Sequence, residues 1–476
     1  MARLTDLPNE LIHDIAILVS GDDSLGALAH VNMQISRVVY PLLLRHWKQG
    51  PYTPDLGLLA LRLLRHPEDR VRVLSLDFGE LVIKHVDTRF TSTCPVPLMR
   101  ENLYALAKAA KETVPDFAES TGEWVERIKR GDSDAIAVLV LSWTTRVTRI
   151  SFGVLDVSSP NSEALILRFI NWTVHGIFKG QHGEGIGMPL TRLQYLHVKS
   201  WSSHAGHLTA QLFASVLDLP ELKTVKLGAP GASISLIFGH LLWAMPYPEG
   251  SSNVEELSLE ATEVLEHELL DMVKVLRHLR VLSYTRDLGG FDHENYRLLS
   301  QCILHHAESL ERLCLRRNKV VEWWEVWPII GHGCNMVLVR CLQQLSNLKS
   351  LSIDLKDLFG LMYERLSTSA FLVMWLPISL ERLTLTTHLR EYPGGTTPSP
   401  ETYPSIVEAI RSLLGEVGHG CKFNKLNYLD VSGVVPRPEE RDAIAAMCAA
   451  KGIKAPKLSS DWEGPSVDSH RFYQLS

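Results

Sequence analysis

The sequence predicts an α/β protein with an N-terminal three-helix unit followed by an irregular solenoid, with parallel strands on the concave side and helices outside. Three observations predict this class. The first residues have helical periodicity, a short apolar hexad recurs along the rest of the chain, and amphipathic stripes at helical spacing lie between the hexads. With 476 residues, the chain is long enough to bury a large core.

The first helix is predicted to begin around Leu7-Pro8-Asn9-Glu10-Leu11 and to run to about Val19. Proline suits the first helical position, and Glu10 places a negative charge where the helix dipole favours it. Two neighbouring apolar faces follow at helical spacing: Leu11, Ile15 and Leu18 on one, and Ile12, Ala16 and Val19 on the other. A helix with so wide an apolar face needs more than one packing partner.

Two further helices are predicted before residue 48. The residues Gly21 to Ser24 end the first helix and supply caps for a second, which carries Leu25, Leu28 and Val31. A third helix is predicted around residues 34–40, with Pro41 interrupting it. A three-helix unit of about 45 residues buries too little surface to be stable alone. We therefore expect the rest of the chain or a partner to cover it.

The order of these residues resembles an F-box, in particular the form common in fungal proteins. The resemblance rests on LPNELIHDIAIL, SLGALAHVN and YPLLLRH, and it covers about 40 of the 476 residues. Its most specific part is the opening Leu7-Pro8-x-Glu10-Leu11 with Ile15 and Leu18. The C-x-x-W element that many F-boxes carry in the third helix is absent at residues 32–35.

The resemblance implies that these helices insert into the Skp adaptor of an SCF-type cullin-RING E3 ubiquitin ligase. Carried over position by position, it assigns adaptor-binding or F-box core roles to Leu7, Pro8, Leu11, Ile15, Leu18, Leu25, Leu28, Val31 and Ile35.

The recurring hexad has the form apolar-x-x-apolar-x-apolar and predicts short strands. It is found at Val71, Leu74, Leu76; Val147, Ile150, Phe152; Leu193, Leu196, Val198; Leu222, Val225, Leu227; Val254, Leu257, Leu259; Leu279, Leu282, Tyr284; Leu310, Leu313, Leu315; Leu348, Leu351, Ile353; Leu380, Leu383, Leu385; and Leu426, Leu429, Val431. SLERLCL at 309–315 and SLERLTL at 379–385 agree at six of seven positions. From Val147 onward, successive hexads are 25 to 46 residues apart, which is typical of a repeat architecture.

Helices are predicted between the hexads, as at 265–279, where leucine and methionine recur at spacings of four and three. This alternation resembles a leucine-rich repeat domain. Only residues 310–320 match the family pattern including its turn asparagine, Asn318, so we expect an irregular solenoid without a continuous asparagine ladder. Long insertions are expected at 77–146, where residues 107–140 are predicted to be helical, and at 156–191.

Four segments are predicted from these patterns. Residues 4–48 form the F-box-like helical module, 49–146 a linker and the helical N-terminal cap of the solenoid, 147–435 the leucine-rich-repeat-like solenoid, and 436–476 a C-terminal cap and tail. Two loops are expected within the solenoid, at Gly180 to Gly187 and at Glu391 to Pro404.

The composition disfavours several classes of partner. The chain has 48 basic and 54 acidic side chains, a net charge of −6, and no basic block, so neither nucleic acid nor an anionic membrane is expected to bind. The longest apolar run, Ala370 to Ile378, is short of the ~20 residues that span a bilayer. Charged residues among the first ten leave no apolar region for a secretory signal. We expect a cytoplasmic and/or nuclear protein.

Catalytic and metal-binding motifs are weak. The 7 cysteines lack a C-x-x-C pair, so neither a disulfide framework nor a zinc site is expected. His305 and His306 complete no metal motif and are interpreted as a surface pair. Gly180 to Gly187 fits neither a P-loop nor a dinucleotide-binding loop. We therefore expect no cofactor, no metal and no catalytic residue.

These observations predict a substrate-recognition subunit of an SCF-type ubiquitin ligase, which captures a protein substrate without catalysing a reaction itself. A repeat scaffold with no role in ubiquitin transfer and an enzyme with a site between repeats are the alternatives. Trp323, Trp324 and Trp327 could form a binding surface, although core packing is the commoner role. By geometry alone, the hexad positions that face solvent are candidate substrate contacts: Arg72, Ser75, Lys223, Lys226, Glu255, Ser258, Arg280, Ser283, Lys349 and Ser352.

Overall fold

A computed structural model describes most of the chain as two compact units, Met1–Leu288 and Gly289–Ser476. The described residues are 7–19, 22–49, 55–83, 98–156, 164–179, 189–201, 216–228, 248–262, 264, 266–286, 293–317, 335–359, 371–386, 403–431, 434–435 and 438–456. In each unit, consecutive strands pair in parallel, and helices lie in most of the described connections between them, so the predicted α/β class is confirmed. This arrangement is the one expected of a solenoid-like fold.

The described residues of the first unit form seven parallel strands in chain order. They are β1 (His46–Lys48), β2 (Ser75–Ile83), β3 (Arg149–Asp156), β4 (Tyr195–Trp201), β5 (Thr224–Leu227), β6 (Glu256–Thr262) and β7 (Val281–Arg286). Those of the second unit form four strands: β8 (Arg312–Arg317), β9 (Ser350–Asp354), β10 (Arg382–Thr386) and β11 (Tyr428–Asp430).

The helices of the first unit are α1 (Asn9–Leu18), α2 (Asp22–Ala29), α3 (Met33–Arg45), α4 (Leu56–Arg65), α5 (Arg100–Thr113), α6 (Pro115–Thr121), α7 (Trp124–Arg130), α8 (Ser133–Trp143), α9 (Leu165–Lys179) and α10 (Glu266–Val275). Those of the second unit are α11 (His293–His305), α12 (Asn335–Gln343), α13 (Leu355–Phe359), α14 (Phe371–Trp375), α15 (Tyr403–Gly415) and α16 (Pro438–Ala450). Among the described residues, no helix is long and apolar enough to cross a membrane.

The hexads form the strands because their second and third apolar residues are two positions apart and therefore point to the same side of the sheet. The second positions are aligned from strand to strand, as in the pairs Ile150–Leu196, Val225–Leu257 and Leu257–Leu282. The second and third positions of the hexads from β3 to β11 are all buried. A continuous apolar layer thus runs beneath each sheet.

The predicted position of the first hexad is wrong by two residues. Strand β2 pairs Leu76 with Ile150, the second position of the next hexad, so the correct hexad is Val73, Leu76 and Phe78. These three side chains are completely buried, whereas Val71 is 49% exposed. Both residue sets, the predicted one that starts at Val71 and the observed one that starts at Val73, fit the hexad pattern. Only the pairing of β2 with β3 selects between them.

Strand β1 was not predicted, because only one apolar side chain, that of Trp47, lies within it. Trp47 pairs with Leu76, is buried, and packs against Phe78 with 5.9 Å between ring centroids. The parallel sheet therefore begins within the segment assigned to the helical module, at His46, rather than at residue 147. The end of α3 and the first strand are directly continuous.

Helix α3 passes through Pro41, so the predicted interruption of the third helix is wrong. The Asn32 side chain caps the start of α3 by accepting a hydrogen bond from the Ile35 amide at 2.8 Å. Proline removes one backbone hydrogen bond, but Leu43 and Leu44 beyond it are buried. Their burial offsets the cost of continuing the helix.

The expected helical insertion at 107–140 is confirmed as α5 to α8, and a buried ionic network ties it to α9. Arg127 is 3% exposed and donates to Asp132 at 3.1 Å and to Asp134 at 3.0 Å. The Asp134 carboxylate also accepts from the amides of Leu165 and Ile166, at 2.7 and 3.0 Å. The Asp134 carboxylate therefore supplies hydrogen-bond acceptors for two amides in the first turn of α9. Amides in the first turn of a helix have no acceptor within the helix itself.

Polar side chains just before the hexads connect consecutive repeats. Asn253 donates to the Pro220 carbonyl at 2.9 Å, Asn347 to the Glu308 carbonyl at 2.6 Å, and Ser379 to the Leu348 carbonyl at 2.8 Å. The predicted turn asparagine, Asn318, lies outside the described residues. The structure thus shows short inter-repeat contacts at a position where no asparagine was expected.

The two expected loops lie largely outside the described residues. Gly180 to Gly187 falls there entirely, as do residues 391–402 of the second loop. Pro404, the end of the predicted second loop, belongs instead to helix α15. A proline in the first turn of a helix loses no hydrogen bond, which explains why the helix begins at this point.

We predict that Asp134→Ala lowers the free energy of unfolding by about 3 to 5 kcal/mol, because it leaves Arg127 buried with one fewer partner and removes the acceptor at the start of α9. Urea unfolding measured by circular dichroism checks this. Asp116→Ala, which removes an exposed aspartate from α6, serves as the control. Equal stability of the two variants would contradict this role for Asp134.

Candidate functional site

Helices α1 to α3 have a hydrophobic core of their own. Six buried side chains form it: Ile12, Ala16, Ala29, Ile35, Val39 and Leu43. Five partly buried side chains pack around them: Leu7, Leu25, Leu28, Val38 and Leu42. The unit is thus held together internally and joined to the sheet through the C-terminal end of α3, where Arg62 of α4 also stacks on Tyr40 at 4.2 Å.

Only one of the two apolar faces of α1 is covered by the chain. Ile12 and Ala16 are buried in the core of the unit. Leu11 is 48% exposed and Leu18 is 81% exposed, and half-buried Ile15 lies between them on the same face. We call Leu11, Ile15 and Leu18 the α1 stripe. The sequence predicted two apolar faces on α1, and the structure shows that this is the more exposed of the two.

The other residues predicted for adaptor contact divide into two groups. Val31 is 60% exposed and Pro8 precedes α1 as an exposed residue. Leu7, Leu25 and Leu28 pack partly buried against the core, and Ile35 is fully buried. The large exposed apolar side chains of the described residues are concentrated here: Leu11, Ile17, Leu18, Val31 and Met33. Exposed apolar side chains in such numbers are typical of a protein-binding site, and Ile17 lies apart from Leu11 and Leu18 on another side of α1.

We predict opposite effects of aspartate on the two faces of α1. Ile12→Asp buries a charge and should lower the stability of the helical unit by about 3 kcal/mol or more, whereas Leu18→Asp should change it by less than about 0.5 kcal/mol. Hydrogen–deuterium exchange of the amides of residues 9–45 measures both effects locally. Loss of protection in the Leu18 variant would show that the stripe is covered by the chain itself.

A second candidate site is a polar cleft over strands β1 to β4, with a volume of about 270 Å³. We call it the basic cleft. Its polar lining consists of His46, Lys48, Ser75, Asp77, Arg149, Ser151, Tyr195, His197 and Lys199. These side chains alternate with the buried apolar ones along each strand, so they emerge on the opposite side of the sheet from the apolar layer.

The register of the sheet brings the cleft residues together. Asp77, Ser151 and His197 occupy the same position on three successive strands, and Lys226 follows on β5. Lys199 on β4 reaches over β3 to Asp77 on β2, with its ammonium 2.7 and 2.6 Å from the carboxylate oxygens. The two residues are 122 positions apart in the chain, so only the fold places them in contact.

An aromatic side chain holds two cations at the cleft. The guanidinium of Arg149 stacks over the Tyr195 ring at 4.4 Å, and the ammonium of Lys226 lies 5.8 Å from the same ring. Cation–π attraction of this kind positions a guanidinium without occupying its N–H groups. Among the described residues, no carboxylate lies within ion-pair distance of Arg149.

His197 contributes a neutral ring to the cleft. Burial lowers the pKa of His197, and its Nε2–H donates to the Gly228 carbonyl at 3.0 Å. Gly228 has φ = +96°, and a Cβ at this position would overlap the backbone carbonyl of Glu260 on β6. A glycine is therefore required both for the conformation and for the close approach of the two strands.

We predict that Gly228→Ala lowers the free energy of unfolding by about 2 kcal/mol or more, since it adds both strain and a backbone clash. Gly250→Ala is the matched control, because Gly250 has φ = +70° but open space around its Cα. It should cost about 1 kcal/mol from strain alone. Thermal unfolding of both variants compares them, and equal costs would rule out the clash with Glu260.

Charge distinguishes the basic cleft from the rest of the chain. Its lining contains Lys48, Arg149 and Lys199 against Asp77, so its formal charge is 3 − 1 = +2 with neutral histidines. The whole chain carries −6. The cleft is therefore a local positive site on an acidic protein, and it attracts negatively charged groups.

Several solvent-facing hexad positions prove to be engaged within the chain. Arg72 lies in the 3-10 helix Pro67–Arg72 and pairs with Asp69 at 2.9 Å. Lys223 pairs with Glu255 at 2.7 Å on the neighbouring repeat, and Ser258 is only 8% exposed. These contacts link repeats and leave fewer of the predicted positions available for a partner.

Most residues of the basic cleft were not predicted from the sequence. Asp77 was missed because the first hexad was placed two residues too early. Arg149, Tyr195 and His197 occupy x positions within correctly placed hexads, but nothing in the sequence distinguished them from the other x positions. Lys199 lies one position beyond its hexad. Their common feature, convergence from β2, β3 and β4, depends on the order of the strands.

The expectation of a surface histidine pair is wrong for His306. His305 is exposed at the end of α11, whereas His306 is 6% exposed and contacts the His305 ring edge-on at 4.8 Å. The His306 carbonyl accepts from the amides of Ser309 and Leu310, which turns the chain into β8. His306 is buried because it belongs to this turn.

The described residues contain no group of three or more His, Cys, Asp or Glu side chains placed to hold a metal ion. Burial raises the pKa of Cys341 to about 12, so this thiol stays protonated. Trp323, Trp324 and Trp327 lie outside the described residues.

Comparisons with known proteins give no family for this chain. No protein-family model matches it, and a search of the curated proteins finds no match.

Proposed function

We propose that this protein is the substrate-recognition subunit of an SCF-type cullin-RING E3 ubiquitin ligase. In this proposal the F-box-like helices bind the Skp adaptor, and the leucine-rich-repeat-like strands bind a protein substrate. The protein catalyses no step itself. Its contribution is to hold the substrate close to the charged ubiquitin carrier, which raises the effective concentration of the acceptor lysine. It would act in the cytoplasm and/or nucleus.

The observation that carries the proposal is the uncovered α1 stripe. Leu11 and Leu18 remain exposed while the same helix buries Ile12 and Ala16 in a well-defined core. Burying one leucine side chain contributes about 1.5 to 3 kcal/mol, so two or three such side chains can supply much of the energy of a stable interface. The stripe begins at Leu11, the last residue of the Leu7-Pro8-x-Glu10-Leu11 opening on which the F-box resemblance rests.

The strands supply the second surface that a receptor requires. Polar side chains from several strands emerge on the side of the sheet opposite its apolar layer, and parallel pairing keeps their spacing regular. A wide, polar surface on a rigid sheet is suited to binding a protein. The adaptor-binding and substrate-binding surfaces are then separate parts of one chain.

We predict that Leu11→Asp/Leu18→Asp abolishes binding of the Skp adaptor, with a loss of roughly 100-fold or more, because two charges would enter an apolar contact. The measurement is a pull-down and titration of purified adaptor with the full chain. Circular dichroism confirms that the variant is folded, as expected for substitutions at exposed positions.

Ile17→Asp is the matched control on the same helix. Ile17 is 58% exposed but points about 120° away from the stripe at 100° per residue. Adaptor binding should survive this change. If the wild-type chain does not bind the adaptor, the ligase proposal is wrong and a repeat scaffold remains. If the control loses binding as completely as the stripe variant, the stripe is not the specific contact.

A further inference from the structure

We propose that the basic cleft binds the carboxylate side chains of an acidic, unphosphorylated peptide segment in a partner protein. This inference deepens the proposed function because it gives the chemical class of the substrate segment. It rests on the proposed function only for the statement that the partner is a substrate. The binding chemistry itself depends only on the cleft residues, so it can be tested without the adaptor.

Arg149 is the central recognition group. Its guanidinium carbon lies over the Tyr195 ring, 4.4 Å from the ring centroid, and the residue is exposed. The N–H groups of a guanidinium lie in one plane, and in this position two of them can donate to both oxygens of a carboxylate. Because the stack fixes the orientation in advance, little side-chain entropy is lost on binding.

Lys226 and Lys199 place further positive charge at the same location. Lys226 lies 5.8 Å from the Tyr195 ring, next to Arg149. Lys199 is held in place by Asp77, whose carboxylate neutralises part of the positive charge of the Lys199 ammonium. The site therefore combines one well-oriented guanidinium with nearby ammonium groups, in a lining of +2 on a chain of −6. With the lining at +2, the rest of the chain has a formal net charge of −6 − 2 = −8, so net charge alone does not favour binding of an acidic peptide elsewhere.

The size and charge of the cleft favour carboxylates over phosphate. A volume of about 270 Å³ holds one or two side chains, and drug-sized ligands need larger pockets. Lys199 already pairs with Asp77 at 2.6 Å, so much of its charge is neutralised within the cleft. The single guanidinium of Arg149 matches one carboxylate both in charge and in its pair of oxygens. A phosphoryl group carries nearly two charges at neutral pH and needs more than one unpaired cation to balance them.

The test is fluorescence anisotropy of a labelled oligo-glutamate peptide titrated with the full chain. We expect binding that weakens as ionic strength rises from about 0.01 to about 0.15 M, because the Debye length falls from about 30 to about 8 Å. An oligo-glutamine peptide should not bind. Arg149→Gln should weaken oligo-glutamate binding about tenfold or more, the loss expected for a charge-assisted bidentate contact.

The chain contains a close match for the control. Arg382 stacks over Tyr428 at 4.3 Å in the second unit, on β10 and β11, in the same register relation as Arg149 and Tyr195. Arg382→Gln removes the same kind of guanidinium–aromatic contact from a place outside the cleft. It should leave peptide binding unchanged. Asp77→Asn, which removes the negative charge and frees Lys199, should strengthen binding about threefold or more.

Three results would overturn the inference. Absence of oligo-glutamate binding at low ionic strength excludes an acidic-peptide site. Equal losses in Arg149→Gln and Arg382→Gln show that the effect is one of net charge and not of the cleft. Binding of a phosphoserine peptide tenfold more tightly than the glutamate peptide identifies a phosphate site instead. Adaptor binding by these variants is measured in parallel, so failure of this inference is separable from failure of the ligase proposal.

Discussion

The structure depends on one constraint, which is that each hexad buries two apolar side chains spaced two residues apart and aligned with those of the next hexad. Parallel pairing in chain order keeps this alignment constant within each unit, from Leu76 and Ile150 through Leu257 and Leu282 in the first. A shift of one residue in any strand would expose its apolar side chains and bury its polar ones. The register is therefore fixed by burial, and it determines which polar side chains of the strands lie next to one another.

The basic cleft is one consequence of that register. Side chains on the opposite side of the sheet are brought about 4.8 Å apart from strand to strand, whatever their distance in sequence. This is how Asp77 meets Lys199 and how Arg149 comes to stack on Tyr195. The ion pair contributes little to stability, because both groups are partly exposed to solvent. Its main effect is to fix the charges around Arg149.

The helical unit follows a different rule, since its core is formed within residues 7–43. Helix α1 has a wider apolar face than this small core covers, and Leu11 and Leu18 stay exposed to solvent. The continuity of α3 with β1 joins the unit to the sheet, with Trp47 buried immediately after the helix ends. An exposed apolar face on a rigidly attached unit is the physical basis of the proposed adaptor contact.

The sequence by itself determined the α/β class, the strands at the hexads from β3 to β11, the helical insertion and the two apolar faces of α1, because these are local periodicities. The tertiary structure alone decided which face of α1 is buried, which frame of the first hexad is used, and that α3 continues through Pro41 into a strand. It also decided which polar residues converge in the basic cleft. These outcomes depend on contacts between residues far apart in the chain, and a local pattern contains no information about them.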